Sequence, residues 1–366
     1  MKKKPSLTKP SLKKTGLKKP SLSGFGKAKP RKIEVAGAES VKRSQLPECG
    51  ELPLVIEPTR SDVDLLSWGR AHKQELERDL RKFGGILFRG FRVDSPERFQ
   101  EVVETMASEA LEYKERSSPR HAVAGHVYTS TDYPSDQPIF LHNENSYAHR
   151  WPGKIFFHCA IEPAAGGATP LADVRRVYDR IPDSVRQRFE EKGVLYLRNF
   201  SDLVGLPWRT VFGSDSRPEV EEYCRGAGYE FEWLDGDRLR TRRQGPAALS
   251  HPLTGERVWF NHATFFHPST LPEAVREGLL ELFPEDELPN HTAYGDGSPI
   301  EAETLEALRT AYHQETISFP WRKGDVLMLD NMLVAHGREP FEGSRQILTA
   351  MAGPVDLASL AAEAAR

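Results

Sequence analysis

The sequence predicts an α+β protein built around an antiparallel sheet or barrel, with helices ahead of the strands and between them. Two observations carry this. Short runs rich in β-branched and aromatic residues recur along the chain, separated by glycine- and proline-bearing turns. Stretches of helical periodicity with capping residues precede and interrupt those runs. A chain of 366 residues with 38% hydrophobic and 28% charged side chains has globular composition and buries a core without disulfide staples.

Taken in order, "SDVDLLSWGRAHKQELERDLRKFG" reads as one helix, with Ser61 or Asp62 as cap and Gly84-Gly85 as its stop. "GILFRGF" is a short strand, and "SPERFQEVVETMASE" is a second helix with Pro96 in its first turn. "GKIFFHCAIEP" and "GVLYLRNF" read as strands, and "GGATPLADVRRVYDRIP" between them as a loop and a helix. "ERVWFNHATFF" reads as β structure. "GDVLMLDNMLVAHGREPFEGSRQILTAM" reads as a hairpin turning at "EGS", and "DLASLAAEAAR" as a closing helix. No linker interrupts these elements, so residues 45–366 are expected to form one domain.

The beginning of the chain is different. Residues 1–32 carry twelve Lys or Arg and no acid, the first carboxylate being Glu34. Removing those twelve from the 50 basic residues leaves 38 against 53 acidic ones, a balance of about −15 on the body. KPSLT, KPSLK, KTGLK and KPSLS follow one another with a period of five, and Pro5, Pro10 and Pro20 forbid a continuous helix. One Leu per repeat buries too little apolar surface to offset the entropy of ordering. Residues 1–44 are therefore expected to be a disordered basic tail. It is a solubilising segment, a docking segment for an acidic protein, or a nucleic-acid tether; the acidic body argues against the last. Cys49, Cys159 and Cys224 are few, odd in number and without C-x-x-C spacing, which points to a reducing cytoplasm. No apolar run reaches the roughly 18–20 residues of a membrane span.

"IFLHNENSY" holds the most informative polar cluster. On a strand, residues i and i+2 share a face, so His142 and Glu144 project together. With His336, which follows the apolar run "GDVLMLDNMLVA", they make two imidazoles and a carboxylate, the donor set of non-haem iron oxygenases. Zinc in a hydrolase accepts the same ligands. The other histidines fit less well. His262 and His267 are spaced by five, as are His121 and His126, which separates them on a strand or a helix; these, with His149 and His158, read as structural or pocket residues.

His142-x-Glu144, "GGATPLAD" and "LDNMLVAHGREPFEGSRQ", with "RSSPRHAVAGHVYTSTDYPSDQPIFLHNENSY", resemble iron(II)/2-oxoglutarate dioxygenases of the TauD/TfdA type. This is the taurine dioxygenase and clavaminate synthase superfamily, and within it the SyrP-like hydroxylases of nonribosomal peptide pathways. The resemblance spans about residues 48–354. It implies a double-stranded β-helix (jelly-roll) barrel with flanking helices, and Fe(II), 2-oxoglutarate and O2 as cofactor and cosubstrates. It makes His142, Glu144 and His336 the iron ligands, Thr169 a 2-oxoglutarate contact, and Arg345 the group that grips its distal carboxylate. A guanidinium fork suits that last role.

Thr349 stands where taurine dioxygenase places a sulfonate-binding arginine, which disfavours a sulfonate substrate. Glu144 fills the carboxylate position that related halogenases vacate, which disfavours halogenation. The implied reaction is hydroxylation of an unactivated C–H bond of an amino acid, free or tethered to a carrier protein. Oxidation of another small acid, or desaturation, is the alternative. By position, substrate contacts are expected from Arg120, Asn143, Asn145 and Tyr147, and from Asn261 and His262 of the "WFNHATFF" strand. An acidic peptidyl carrier protein docked by the basic tail would be the partner.

Overall fold

Two sheets enclose the main core, and the chain crosses between them twice in its last third. The computed structural model describes residues 40–107, 115, 121–130 and 133–364, with side chains to Leu360. The larger sheet runs Val41–Gln45, Leu54–Pro58, Gly85–Phe88, Val326–Asp330, Arg150–Ile161, Gln346–Asp356, Val127–Thr129 and Ala122–Ala124. Its pairs are antiparallel except Leu54–Pro58 against Gly85–Phe88, which makes it mixed. The smaller sheet places Val334–Arg338 between Ile139–His142 and Leu171–Asp173.

Strand alternation sorts side chains between two cores. Ile155, Phe157, Leu327, Leu329, Ile347 and Met351 of the larger sheet meet Leu141, Leu171, Val334 and Ala335 of the smaller one in a single buried cluster. Phe156, Val326, Met328, Leu348 and Ala350 face the other way and pack on the helices between residues 65 and 106. A separate four-stranded sheet of Glu230–Leu234, Arg238–Gly245, Val194–Phe200 and Asn290–Tyr294 carries helices Trp208–Phe212 and Arg217–Gly226 over its own apolar cluster.

The α+β expectation holds, while four local expectations change. Residues 41–44, assigned to the tail, form an edge strand: Val41 is buried while Lys42 and Arg43 face out, and Arg43 pairs with Glu75 and Asp79. Basic side chains on an edge strand deter further pairing, so a tail-like composition here serves a sheet. The tail assignment for residues 1–39 lies outside the described residues. The first helix is two, Leu65–Ala71 and Lys73–Phe83, broken at His72, whose ring stacks on Trp68 at 4.6 Å. Its cap is Asp64, accepting from Ser67 N at 3.0 Å, rather than Ser61 or Asp62.

"ERVWFNHATFF" keeps only a two-residue strand, Arg257–Val258, and then a helical turn, Ala263–Phe266. Its apolar run marked burial, not β structure: Val258, Trp259 and Phe260 are all in the core. Nor is there a hairpin at "EGS". Val334–Arg338 belongs to the smaller sheet and Gln346–Asp356 to the larger, so the turn is a crossover between layers. The closing helix is present as Leu357–Ala364.

Candidate functional site

The crossings put the polar residues between the sheets. Val326–Asp330 ends in the larger sheet, turns at Asn331, and re-enters as Val334–Arg338 in the smaller one. There His336 lies directly opposite His142, with ring centroids 4.6 Å apart. Gly337 is required at this pairing, because a Cβ on it would sit 2.5 Å from the Ile139 carbonyl oxygen.

His142, Glu144 and His336 offer ligand atoms all within 4.8 Å of one another, with Glu144 Oε2 3.9 Å from His336 Nε2. The strand ends at His142, so Glu144 reaches the cluster from a turn rather than from a shared strand face. That turn is pinned by Asn331, which is fully buried. Its Oδ1 accepts from Glu144 N at 2.8 Å, and its Nδ2 donates to the carbonyls of Glu144 and Pro152 at 2.9 and 2.8 Å. Asn143 Nδ2 donates in return to the Asn331 carbonyl at 2.7 Å. His142 Nδ1 lies 2.9 Å from the Phe140 carbonyl. A carbonyl only accepts, so the proton is on Nδ1 and Nε2 keeps its lone pair for a metal. Phe265 stacks on His142 at 4.5 Å and Phe157 meets His336 edge-on at 5.0 Å, which fixes both rings.

Beside the cluster, a small cavity is lined by His142, Phe157, Thr169, His336, Arg345 and Thr349. Arg345 is half-buried, donates from Nε to the Gly167 carbonyl at 2.8 Å, and forms no ion pair among the described residues. Burial first, and the neighbouring Arg338 second, pull its guanidinium pKa down to about 10, so it is still a cation at neutral pH. Gly167, at φ +68°, allows this approach: a Cβ there would lie 3.0 Å from Arg345 Cδ. Thr169 is buried and accepts from Trp321 Nε1 at 3.1 Å. Thr349 is fully buried with no hydrogen-bond partner for Oγ1 among the described residues.

A second, larger cavity of about 780 Å³ also borders His142. Its wall is mostly apolar: Phe140, Phe265, Leu271, Leu279 and Leu288 contribute, with Arg338 at the boundary of both cavities. The residues expected to touch substrate lie elsewhere. Asn143 is tied to Asn331, and Asn261 bonds the Ala247 carbonyl and Ala263 N. Asn145 and Tyr147 bond each other, and Tyr147 also bonds the Glu115 carbonyl. His262 is buried against Tyr147 and Phe266, with Nδ1 2.6 Å from Ser146 Oγ, and burial holds it well below its usual pKa. None of these five lines either cavity, and Arg120 lies outside the described residues. Arg338 and Asn331 were missed, although both left a signal. Asn331 is a lone amide inside the apolar run "VLMLDNMLVA", and Arg338 is two residues from His336 on one strand.

Two imidazoles, one carboxylate and, beside them, a cation without an ion pair among the described residues fit the donor set of a mononuclear non-haem metal oxygenase. The chain belongs to the family described as taurine catabolism dioxygenase TauD, TfdA family, whose model matches residues 46–351. It is 41% identical over 276 residues to the dapdiamide synthesis protein DdaC of Enterobacter agglomerans, covering 75% of this chain and 84% of that one. It is 30% identical over 322 residues to a clavaminate synthase-like protein of Arabidopsis thaliana, covering 83% and 94%. Among solved structures it resembles PvcB, an Fe, alpha-ketoglutarate dependent oxygenase from an isonitrile synthetic pathway, with TM-score 0.52, 17% identity and coverage of 86% and 92%. AAD-2, solved with Mn(II) and N-oxalylglycine, matches with TM-score 0.52, 12% identity and coverage of 87% and 99%. The protein is a dioxygenase that uses Fe(II), 2-oxoglutarate and O2.

Proposed function

We propose that the protein hydroxylates an unactivated C–H bond of an amino-acid-type substrate in a secondary-metabolite pathway, releasing succinate and carbon dioxide. The observation that carries the reading is Arg345, a half-buried cation with no anionic partner among the described residues, beside the His142–Glu144–His336 cluster. A desolvated cation is costly unless an anion completes it, and a dicarboxylic acid bound at the metal supplies one.

His142, Glu144 and His336 would hold the iron on one face, leaving the other for cosubstrates. Iron(II) with 2-oxoglutarate and O2 supplies the two-electron oxidation of the C–H bond. The chain's own residues do the rest. The Phe140 carbonyl fixes the His142 tautomer, and Asn331 holds the Glu144 turn. Arg345 would pair with the distal carboxylate of 2-oxoglutarate, with Thr169 alongside. The apolar cavity would receive the substrate and keep water away. The two facing sheets support a double-stranded β-helix reading of the barrel. The likeness to DdaC supports the biosynthetic setting.

Free buried thiols at Cys49, Cys159 and Cys224 support a cytoplasmic setting, and no helix among the described residues is long and apolar enough to cross a membrane. An acidic carrier protein delivering the substrate to the basic tail belongs to the same proposal; residues 1–32 hold the Lys and Arg it would meet.

The test is anaerobic addition of iron(II) and 2-oxoglutarate, followed by the visible charge-transfer band of the chelate. The band is expected in the intact protein, absent in His142→Ala and strongly weakened in Arg345→Ala. Its absence from the intact protein overturns the reading.

A further inference from the structure

We propose that His267, Glu285 and His291 form a second divalent-cation site, of the zinc type, which clasps the outer wall of the substrate cavity. Their ligand atoms lie within 4.8 Å of one another, and His291 Nδ1 is 3.9 Å from Glu285 Oε1. The imidazole rings are 5.7 Å apart. Zinc bonds His nitrogen and carboxylate oxygen at about 2.0–2.2 Å, so its ligand atoms stand roughly 3.4 Å apart when tetrahedral. Contraction of under about 1.5 Å per pair closes the observed spacing. Glu285, an exposed side chain, has the freedom to supply most of it.

Two details bear on the imidazoles. His291 Nδ1 is buried with no hydrogen-bond partner among the described residues, an acceptor without a use unless something binds it. His267 Nδ1 lies 2.8 Å from Ser269 Oγ and 3.2 Å from Ser269 N. The Ser269 N–H donates to this nitrogen, so the metal-free ring carries its proton on Nε2; a cation at Nε2 selects the other tautomer, in which Nδ1 donates to the Ser269 hydroxyl. Burial lowers both pKa values, His267 to about 4, so neither imidazole is protonated at neutral pH. The charged groups around them are Glu285 and Asp286 at His291 and Arg309 at His267, the last engaged with Ser269 and Thr270.

The position gives the site a role. His267 precedes, and Glu285 and His291 follow, the helix Glu273–Leu282, which has no buried residue. Yet Leu271, Leu279 and Leu288 of this segment line the cavity. A segment with so little burial is held mainly at its ends, and a cation shared by both ends would fasten it.

Cobalt(II) alone is the probe, counted per full-length chain by equilibrium dialysis after chelator treatment. Intact protein is expected to bind two equivalents. The His142→Ala/His336→Ala variant, with the iron cluster disabled, is expected to keep one. Adding Glu285→Gln to that variant should weaken the remaining equivalent about tenfold or more, and adding His291→Ala should remove it. In the same background, cobalt should slow proteolysis within residues 273–289, and Glu285→Gln should abolish the protection. No binding by the His142→Ala/His336→Ala variant, or binding unchanged by Glu285→Gln, overturns the proposal and leaves the iron assignment untouched.

Discussion

Asn331→Ala should loosen the proposed iron site without touching any of its candidate ligands. The Asn331 side chain makes three hydrogen bonds in a region closed to water, to Glu144 N, the Glu144 carbonyl and the Pro152 carbonyl. Alanine leaves one donor and two acceptors unsatisfied. A stranded buried polar group costs about 1–3 kcal/mol, so even the low end gives about 3 kcal/mol. At roughly 2–4 °C per kcal/mol for larger domains, the melting temperature should fall by about 6–12 °C. Groups that orient metal ligands typically contribute 10–100-fold in affinity, and iron(II) binding should weaken by that factor. Asn331→Asp makes the argument sharper. It keeps an acceptor for Glu144 N but turns an oxygen toward two carbonyls and adds charge next to Glu144. An ionised carboxylate there is disfavoured by folding, so its folded pKa is raised. Its penalty is then small below the unfolded value of about 3.9 and grows as pH rises through the folded pKa. Thermal melts from pH 4 to 8 and anaerobic iron titrations measure both effects. If Asn331→Ala melts within 2 °C of the intact protein and binds iron within about twofold, the reasoning fails.

Three further outcomes follow from other parts of the molecule. Leu279→Arg puts a charge into the apolar cavity wall, and should lower kcat/KM for the true substrate by about 10–200-fold while leaving the iron–2-oxoglutarate band intact. Arg89→Met strands Asp325, whose carboxylate pairs with the guanidinium at 2.7 Å in the core; a loss of about 3–5 kcal/mol should appear in urea unfolding, with much of it restored by adding Asp325→Leu. His158 is buried and neutral, its pKa lowered chiefly by desolvation. The unfolded chain therefore binds a proton that the folded chain does not, so its contribution is complete above about pH 6.5 and is lost as pH falls below it. His158→Phe should accordingly show a smaller drop in urea midpoint between pH 7.5 and 5.5.

What the sequence revealed and what it hid divide along physical lines. Long periodic elements were readable, because Pro96–Met106 and Arg150–Ile161 each carry their face pattern and boundary residues locally. His142, Glu144 and His336 were readable as a set through residue chemistry, although the reason offered for Glu144 was wrong, since a turn and not a strand delivers it. Sheet membership was not readable. Val334–Arg338 and Gln346–Asp356 look like a hairpin from either side of "EGS", and only the long-range pairing with Ile139–His142 and Arg150–Ile161 separates them. The expected substrate contacts failed to line a cavity for a related reason. Asn143, Asn145, Tyr147, Asn261 and His262 are polar because buried turns near the cluster need their hydrogen bonds. The cavity is lined instead by apolar residues such as Phe265, Leu279 and Leu288, which in a sequence resemble any other core residues.

Arg338 explains how one buried region keeps two cavities distinct. It shares the strand of His336 and borders both spaces, so two cations, Arg338 and Arg345, stand near the same cluster. Their hydrogen bonding differs. Arg338 donates to the carbonyls of Tyr133, Pro134 and Gln137, while Arg345 donates, among the described residues, to Gly167 alone. Three carbonyl dipoles go far toward replacing the water Arg338 lost, and they hold residues 133–137 against the strand as a wall of the larger cavity. One carbonyl does much less for Arg345. An entering dianion therefore gains more at Arg345, the less satisfied cation, while the larger cavity stays lined mainly by aliphatic and aromatic carbon. The same comparison supports the proposal that the dicarboxylic cosubstrate enters the small space and the substrate's less polar body the large one, with His142 lining both.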